Sequence, residues 1–309
     1  MKSACSFHRF LWLVSISILF SSCSLRITEK SIRKHYANEK IKPVVQIIEN
    51  DSLRIRVASM GPDSLPMLLL IHGAPGAWWG YLNMLDDPDL QKKFHIVSVD
   101  RMGYGKSRLK NLKHVTSIEK QAACLLQVLQ LNKSTEKVMI LGRSYGAPIA
   151  AAMTVMEPEK FKELVMVSPV IDPDLERFYW FSGIGKSRFV QWMLPQELNI
   201  ATAEKYAHVE ELKQISYIWQ KISIPTTVIT GGKDWIADPG NIVYARRNIL
   251  APGVQFISLP SAGHMITFSH KNLIKSMLLK SGNYRSKNIT IDITSQLTFQ
   301  NQNSEELQY

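Results

Sequence analysis

The chain has 309 residues, of which 45% are hydrophobic and 20% are charged, and this composition fits a globular protein with a sizeable core. The formal net charge is +11. No nucleic-acid-binding motif accompanies this charge, and basic and aromatic residues are not interleaved, so the sequence argues against a nucleic-acid-binding protein. The densest basic cluster lies at residues 26–42, close to an N-terminal apolar run, and favours a segment near anionic lipid.

The first 23 residues have the pattern of a secretory signal. A positively charged start precedes the apolar run of residues 10–20, which is too short to span a bilayer comfortably. Two serines then lead to Cys23, and this arrangement resembles a bacterial lipoprotein signal, although Phe20 stands where that signal usually has leucine. We therefore predict a signal over residues 1–23 with lipidation at Cys23. An ordinary signal peptide and an uncleaved anchor are the alternatives.

The predicted signal determines the expected location. Residues 24–43 are basic and polar, and we interpret them as a tether. In Gram-negative lipoproteins, a non-acidic residue such as Ser24 after the cysteine is compatible with outer-membrane sorting. The sequence thus predicts a protein held by a lipid anchor in the bacterial cell envelope, at the outer membrane or the periplasmic face. A secreted protein is the alternative, and the oligomeric state is not indicated.

Three cysteines occur in the chain, and none of them indicates a disulfide. Cys5 would leave with the signal, and Cys23 would carry the lipid. Cys124 falls in a helical pattern and is expected to be a buried small hydrophobe. The sequence has no C-x-x-C motif, no H-E-x-x-H motif and no histidine cluster, so it predicts neither a metal site nor a cofactor.

Strand and helix patterns alternate from residue 66 onward. Before that point, two β-runs at residues 44–48 and 53–57 predict a hairpin. A fully apolar run predicts a strand at residues 66–71, and we read further strands at residues 94–99, 137–141, 164–167, 226–230 and 254–259. The alternation predicts an α/β fold with a mostly parallel central sheet and helices on both faces, occupying residues 44–280.

Two segments depart from this alternation. Residues 172–222 are rich in aromatic side chains and predict a small lid insertion over an apolar pocket, although the same aromatics could simply pack onto the sheet. Residues 281–309 are rich in Asn, Gln, Ser and Thr and predict a mostly disordered tail. A weak alternation at residues 289–298 would allow an edge strand.

A serine stands at a sharp turn between a predicted strand and a predicted helix. The sequence Gly142-Arg-Ser144-Tyr-Gly146 places a glycine on each side of it. Those glycines remove side chains that would clash with the neighbouring strand and helix. The hydroxyl would then sit at a helix N-terminus, where negative charge is stabilised. Asp234 and His264 follow later predicted strands, so we expect them to meet Ser144 at the carboxyl edge of the sheet.

Several of these segments, read in order, resemble α/β-hydrolases of the lipase- and esterase-like class. The resemblance covers about residues 44–280 and rests on five pieces: His72-Gly-Ala-Pro-Gly76, Asp100-Arg-Met-Gly-Tyr-Gly105, Gly142-Arg-Ser-Tyr-Gly146, Gly232-Lys-Asp234 and Gly263-His264. It implies that Ser144 is a nucleophile, with His264 as its base and Asp234 orienting the histidine. Asp172 and Asp238 remain alternatives for the acid.

The resemblance also assigns roles around the serine. It implies an oxyanion hole made by the backbone N–H groups of Ala74 and Tyr145, and a structural role for His72. Trp78 and Trp79 could line the substrate pocket or fill the core. Arg143, beside the nucleophile, could affect substrate choice or pair with an acid, and the sequence does not decide between them.

The predicted function is that of a serine hydrolase that cleaves a carboxylic ester or related acyl bond of a small molecule through an acyl-enzyme intermediate. Serine at position 144 argues against epoxide hydrolases and haloalkane dehalogenases of this fold, because those enzymes use an aspartate nucleophile there. The segment His72–Gly76 resembles the His-Gly-Gly-Pro-Gly of proline iminopeptidases, which leaves an aminopeptidase as an alternative. A non-catalytic, hydrolase-like binding protein of the cell envelope is the other alternative.

Overall fold

The structure is a computed structural model, and it describes residues 29–112, 114–178, 187–280 and 291–292. The chain divides into two compact units, residues 1–42 and residues 43–309. In the first unit, helix α1 spans Glu29–His35. The predicted signal and Cys23 lie outside the described residues. Within the described ranges, no helix is long and apolar enough to cross a membrane.

The second unit is built on a sheet of ten strands among its described residues. They are β1 (Val44–Glu49), β2 (Leu53–Met60), β3 (Met67–Ile71), β4 (His95–Val99), β5 (Arg108–Leu109), β6 (Val138–Arg143), β7 (Phe161–Val167), β8 (Thr226–Gly231), β9 (Gln255–Leu259) and β10 (Ile291–Asp292). Their order is β1-β2-β4-β3-β6-β7-β8-β9-β10, with β5 paired to β2. β1, β2 and β4 pair antiparallel, and every pair from β4 to β10 is parallel.

Helices connect these strands. They are α2 (Leu82–Leu85), α3 (Pro88–Lys93), α4 (Ile118–Leu125), α5 (Gly146–Met156), α6 (Arg188–Met193), α7 (Gln196–Gln214), α8 (Ile218–Lys221), α9 (Asn241–Asn248), α10 (Ile266–Ser269) and α11 (Lys271–Lys280). Short 3-10 helices lie at Trp78–Tyr81, Leu126–Leu131, Pro158–Lys160 and Pro173–Leu175.

The central strands β3, β6 and β8 are buried at every residue. A parallel strand covered on both faces is buried along its whole length, whereas β1 at the edge alternates between exposed and half-buried residues. The predicted α/β fold with a mostly parallel sheet is therefore confirmed. Helices α6, α7 and α8 occupy the predicted lid segment, and its function as a lid stays a prediction. β10 is an edge strand paired with β9, and it lies within residues 289–298, where the sequence allowed one.

Candidate active site

The turn between β6 and α5 holds Ser144 in a strained backbone conformation. Its φ angle is +53°, in the left-handed region that non-glycine residues rarely adopt. The Ser144 N–H donates to the carbonyl of Val167, at the end of neighbouring strand β7, over 3.0 Å. The serine is therefore held at the carboxyl edge of the sheet, and only 7% of its surface is exposed.

Both glycines of the turn are required by close backbone contacts. A Cβ atom on Gly142 would lie 2.5 Å from the carbonyl oxygen of Gly146. A Cβ atom on Gly146 would lie 2.4 Å from the carbonyl oxygen of Ile71, in β3. These separations are far below van der Waals contact, so strand and helix can approach this closely only with glycine at both positions.

Asp234 and His264 form a hydrogen-bonded pair at the ends of β8 and β9. Oδ2 of Asp234 lies 2.9 Å from Nδ1 of His264. Oδ1 of the same carboxylate accepts from the backbone N–H groups of Ile236 and Ala237, at 2.9 and 2.8 Å. The carboxylate is almost fully buried. These contacts fix its orientation, and Oδ2 can then hold the imidazole with its proton on Nδ1 and Nε2 free to accept a proton.

The two alternative acids have other partners. Asp172 caps the 3-10 helix that follows it by accepting from the N–H of Asp174. Asp238 accepts from the N–H of Gly240 and pairs with Arg177. Neither hydrogen-bonds to the His264 ring. Asp234 is thus the carboxylate that the structure brings to the histidine.

The end of β7 connects the serine turn with the histidine loop. Val167 accepts from the Ser144 N–H, and the hydroxyl of the next residue, Ser168, donates to the carbonyl of His264 over 3.1 Å. Within the described ranges, the Ser144 hydroxyl makes no hydrogen bond to the His264 ring. Contacts of this kind are often long or poorly aligned without substrate and tighten in the complex.

The loop after β3 passes directly beside the serine. A Cβ atom on Gly73 would lie 3.0 Å from Cβ of Ser144 and 3.6 Å from its hydroxyl oxygen. The neighbouring Ala74 carries the backbone N–H that the sequence predicts as an oxyanion donor. The residue before the predicted donor therefore packs against the serine, and the role of the Ala74 N–H stays a prediction.

His72 anchors this loop as a neutral imidazole. The backbone N–H of Arg101 donates to Nε2 of His72 over 3.0 Å, so Nδ1 carries the proton and donates to the carbonyl of Gly73 over 2.6 Å. Burial, together with the positive charge of Arg101, lowers the pKa of His72 well below 6.5. His72 thus lies in a structural position, as the sequence indicated.

Arg101 makes a second set of contacts to the same loop. Its Nε donates to the carbonyl of His72 over 2.8 Å, and Nη2 donates to the carbonyl of Gly73 over 3.3 Å. The guanidinium also forms a two-pronged ion pair with Glu204 on α7, at 2.6 and 2.9 Å. Both side chains of this pair are completely buried. Sequence reasoning assigned no role to Glu204.

Further polar groups complete the surroundings of Glu204. The hydroxyl of Tyr104 donates to Oε2 over 2.6 Å, and the side-chain amide of Gln121 donates to Oε1 over 2.9 Å. Gln121 in turn accepts from Nη1 of Arg101 over 2.7 Å. A buried charge pair is costly unless hydrogen bonds satisfy its remaining atoms, and this one is satisfied on both sides.

Tyr145 follows the serine and contributes its side chain to the same region. Its ring lies 4.8 Å from the guanidinium carbon of Arg101 and 4.6 Å from the ring of His208 on α7. Its hydroxyl donates to the carbonyl of Thr116 over 3.0 Å. Burial raises the pKa of this phenol well above 10, so it stays protonated. These contacts hold the residue whose backbone N–H is the second predicted oxyanion donor.

The two tryptophans pack toward the sheet. Trp78 is buried, and its backbone N–H donates to Oδ1 of Asp100 over 2.9 Å. Trp79 is half-buried, with the guanidinium carbon of Arg56 at 5.3 Å from its ring. Arg56 also pairs with Asp100. The loop after β4 therefore serves as a structural connection between two turns, and the surroundings of Trp78 are those of a core residue.

Arg143 has no carboxylate partner in the described part of the chain. It is 7% exposed, and its Nη1 donates to the hydroxyl of Thr267 over 3.2 Å. The guanidinium lies 5.6 Å from the ring of Tyr81 and 5.5 Å from that of Phe268. The sequence left two roles open for Arg143, substrate choice and pairing with an acid. Among the described residues, Arg143 does not pair with an acid. The described residues also contain no group of three or more metal-ligating side chains.

The fold of this chain is similar to that of known hydrolases. Residues 66–208 match the family model for the alpha/beta hydrolase fold, and solved structures with similar folds include a lipase and a thioesterase domain. The chain therefore has an α/β-hydrolase fold.

Individual similarities are weaker and mostly partial. The chain is 24% identical over 121 residues to mouse epoxide hydrolase 4, covering 39% of this chain and 33% of that protein. It is 28% identical over 116 residues to the probable aminopeptidase YbaC of Bacillus subtilis, covering 36% of each. The chain thus spans about a third of the length of these relatives. A membrane phospholipase A structure superposes with a TM-score of 0.59 at 19% identity, covering 90% of this chain and 98% of that one.

Proposed function

We propose that this protein is a serine hydrolase that cleaves a carboxylic ester or related acyl bond. The observation that carries the proposal is the Asp234–His264 pair, at 2.9 Å, at the same edge of the sheet as a serine held on a strained turn. A serine hydroxyl is a poor nucleophile at neutral pH and needs a base and a group that orients the base. The edge of the sheet supplies both.

The proposed reaction has two halves. In the first, His264 takes the proton of Ser144, the serine oxygen attacks the acyl carbon, and the leaving group departs with that proton. In the second, water attacks the acyl-enzyme and the serine is released. The backbone N–H groups of Ala74 and Tyr145 stabilise the oxyanion in each half. Losing one such donor typically costs about two to three decades in rate.

Ser144 favours acyl transfer over epoxide opening. Sequence similarity to epoxide hydrolases reflects the shared fold, whereas this chain carries a serine where epoxide hydrolases of the fold carry an aspartate. The solved phospholipase A and the putative lipase from Acinetobacter baumannii resemble this chain along most of its length, but their low identities, 19% and 16%, leave the substrate open. An ester of a small molecule is the substrate class that we propose.

An aminopeptidase is the second candidate, and the partial match to YbaC favours it. Hydrolysis of p-nitrophenyl esters of increasing chain length, compared with aminoacyl p-nitroanilides, separates the two. Faster cleavage of the esters supports the first candidate. Faster cleavage of the aminoacyl amides would replace it with the second.

A fluorophosphonate probe tests whether the protein is an enzyme at all. Such probes phosphonylate activated serines, so we expect labelling of the wild type and none of Ser144→Ala. His264→Ala should lose labelling and turnover to the same extent, since the groups act as a unit. An unlabelled but folded wild type would support the non-catalytic envelope protein instead. Substantial activity in His264→Ala would show that the base is another residue.

We also propose that the enzyme works at the cell envelope, held there by a lipid on Cys23. The support is the order of charged start, short apolar run and cysteine at the beginning of the sequence. The basic residues after Cys23 would add electrostatic attraction to anionic lipid.

A further inference from the structure

Arg101 holds two consecutive carbonyl groups of the loop that contains the proposed oxyanion donor. Its Nε binds the carbonyl of His72, and its Nη2 binds that of Gly73, which also accepts from the His72 ring. The Gly73–Ala74 peptide is trans. In a trans peptide the C=O and N–H bonds point in opposite directions. Holding the Gly73 oxygen therefore also fixes the direction of the Ala74 N–H.

The peptide whose direction is fixed in this way lies beside the proposed nucleophile. Arg101 and the His72 ring lie on the carbonyl side of the peptide, so the Ala74 N–H points away from both. Gly73 packs directly against Ser144, with its hypothetical Cβ 3.0 Å from Cβ of the serine. A rotation of this peptide would remove the N–H and could bring the carbonyl oxygen in its place. The oxyanion would then meet an acceptor and lose a donor.

Arg101 itself is fixed by a residue on a distant helix. Glu204 binds Nη1 and Nη2 of the guanidinium through both carboxylate oxygens, and neither side chain is exposed to solvent. The fork of the guanidinium fits a carboxylate in this two-pronged manner and leaves Nε for the loop. Tyr104 and Gln121 prevent the carboxylate from turning.

We propose that Glu204 is a positioning residue for catalysis: through Arg101 it sets the orientation of the Gly73–Ala74 peptide and thereby forms the oxyanion hole. The inference rests on the proposed function. It assigns to helix α7 of the predicted lid segment a part in transition-state stabilisation, in addition to any part in covering the substrate.

Glu204→Gln tests this role, because the amide keeps the shape of the side chain but removes the charge and one of the two acceptors. We expect kcat on p-nitrophenyl butyrate to fall by about tenfold to a hundredfold, below the loss for a missing donor, while KM changes by less than about twofold. The inhibition constant of an alkyl trifluoromethyl ketone should rise by a similar factor, because its adduct with serine places an oxyanion in the hole. A purely structural ion pair would not link these two quantities.

Glu211→Gln is the matched control on the same helix. Its carboxylate accepts from the backbone N–H of Ile118 over 3.0 Å and does not contact Arg101. It should match the wild type in kcat and in ketone binding. An equal loss in Glu204→Gln and Glu211→Gln would overturn the proposal, since it would indicate general damage to the lid segment.

Arg101→Lys gives a second test of the positioning role, and it can be used if Glu204→Gln does not fold. Lysine retains a buried positive charge beside Glu204, but a single ammonium cannot hold the carboxylate and both loop carbonyls together. We expect a loss of kcat and of ketone affinity here too. Unchanged kcat and ketone affinity in the folded variants would overturn the positioning role alone. A wild type that neither hydrolyses the ester nor reacts with a fluorophosphonate would overturn the proposed function as well.

Discussion

Oδ2 of Asp234 lies 2.9 Å from Nδ1 of His264, and Oδ1 is held by two backbone N–H groups. In Asp234→Asn, the amide oxygen can keep the backbone bonds, which turns the NH₂ group toward the imidazole and favours the wrong tautomer. We expect kcat to fall by about 10⁴-fold with the fold intact, the magnitude seen for this change in a serine protease. Ester hydrolysis and a thermal melt measure the two effects.

Asp238→Asn is the control for this change. Asp238 lies four residues further on and contacts Gly240 and Arg177 instead of the histidine, so its variant should stay within about twofold of the wild type in kcat. A larger loss in Asp238→Asn than in Asp234→Asn would reverse the assignment of the acid.

Gly146→Ala should destabilise the protein severely. The new Cβ would lie 2.4 Å from the backbone oxygen of Ile71 and 2.5 Å from that of His72, and strand β3 cannot move without opening the sheet. We expect a loss of at least about 3 kcal/mol in the free energy of unfolding, measured in urea.

Gly263→Ala provides the comparison for Gly146→Ala. The hypothetical Cβ of Gly263 has only the Lys233 carbonyl at 3.8 Å, which is ordinary contact. This variant should differ from the wild type by less than about 1 kcal/mol. Equal effects at the two glycines would show that strand and helix do not approach as closely as described.

The free energy of unfolding should decrease as the pH is lowered below about 6.5, the pKa of an unfolded histidine. The reason is that His72 stays neutral in the folded protein. Its folded pKa lies below the unfolded one, so the stability it contributes is complete above that pH and is lost as the pH falls toward the folded pKa. The slope for one such group reaches about 1.4 kcal/mol per pH unit. Urea unfolding of the wild type between about pH 7 and about pH 5 measures it.

His72→Asn removes the titrating group while an amide can still donate to the Gly73 carbonyl. The wild type should therefore show the steeper loss of stability with falling pH. Burial also lowers the pKa of His95, but this residue is present in both proteins, so its effect on stability cancels in the comparison. If the two proteins lost stability with falling pH at the same rate, His72 would be taking up its proton in the folded state as readily as in the unfolded state.

Cys23→Ser should release the protein from the membrane fraction if the cysteine carries the anchor. The change removes the sulfur that would be acylated and leaves the basic tether in place, so any remaining binding should be weak and sensitive to salt. Fractionation of cells followed by a high-salt wash measures this. Unchanged, salt-resistant membrane association would exclude lipidation at Cys23 as the means of attachment.

Much of the fold could be predicted because its signals are local. Runs of five or six residues rich in apolar or β-branched side chains correspond to β3, β4, β6, β8 and β9, and Ser144, Asp234 and His264 each follow one of these strands. Since parallel strands end at one edge of the sheet, sequence order alone predicts which polar residues come together.

The surroundings of the site could not be predicted in the same way. Glu204 lies 103 residues from Arg101, in a helix rich in polar residues where a carboxylate usually faces solvent. Nothing in the local sequence distinguishes a buried Glu from an exposed one. The sequence also could not predict where the Trp78 side chain lies, because an aromatic side chain after a strand can pack inward or line a cavity. In the structure, Trp78 is buried next to the turn at Asp100.

The end of β7 binds both the serine turn and the histidine loop, and the segment of residues 172–222 leaves the sheet just beyond it. Because β7 and β8 are adjacent parallel strands, the chain leaves the sheet at its carboxyl edge after β7 and returns at the opposite edge, where β8 begins. The segment therefore belongs to the crossover connection between these two strands, and a replacement for it must keep both ends of that connection. A graft that changes substrate range would leave Val167 and Ser168 intact, but it must bring a buried carboxylate to the place of Glu204.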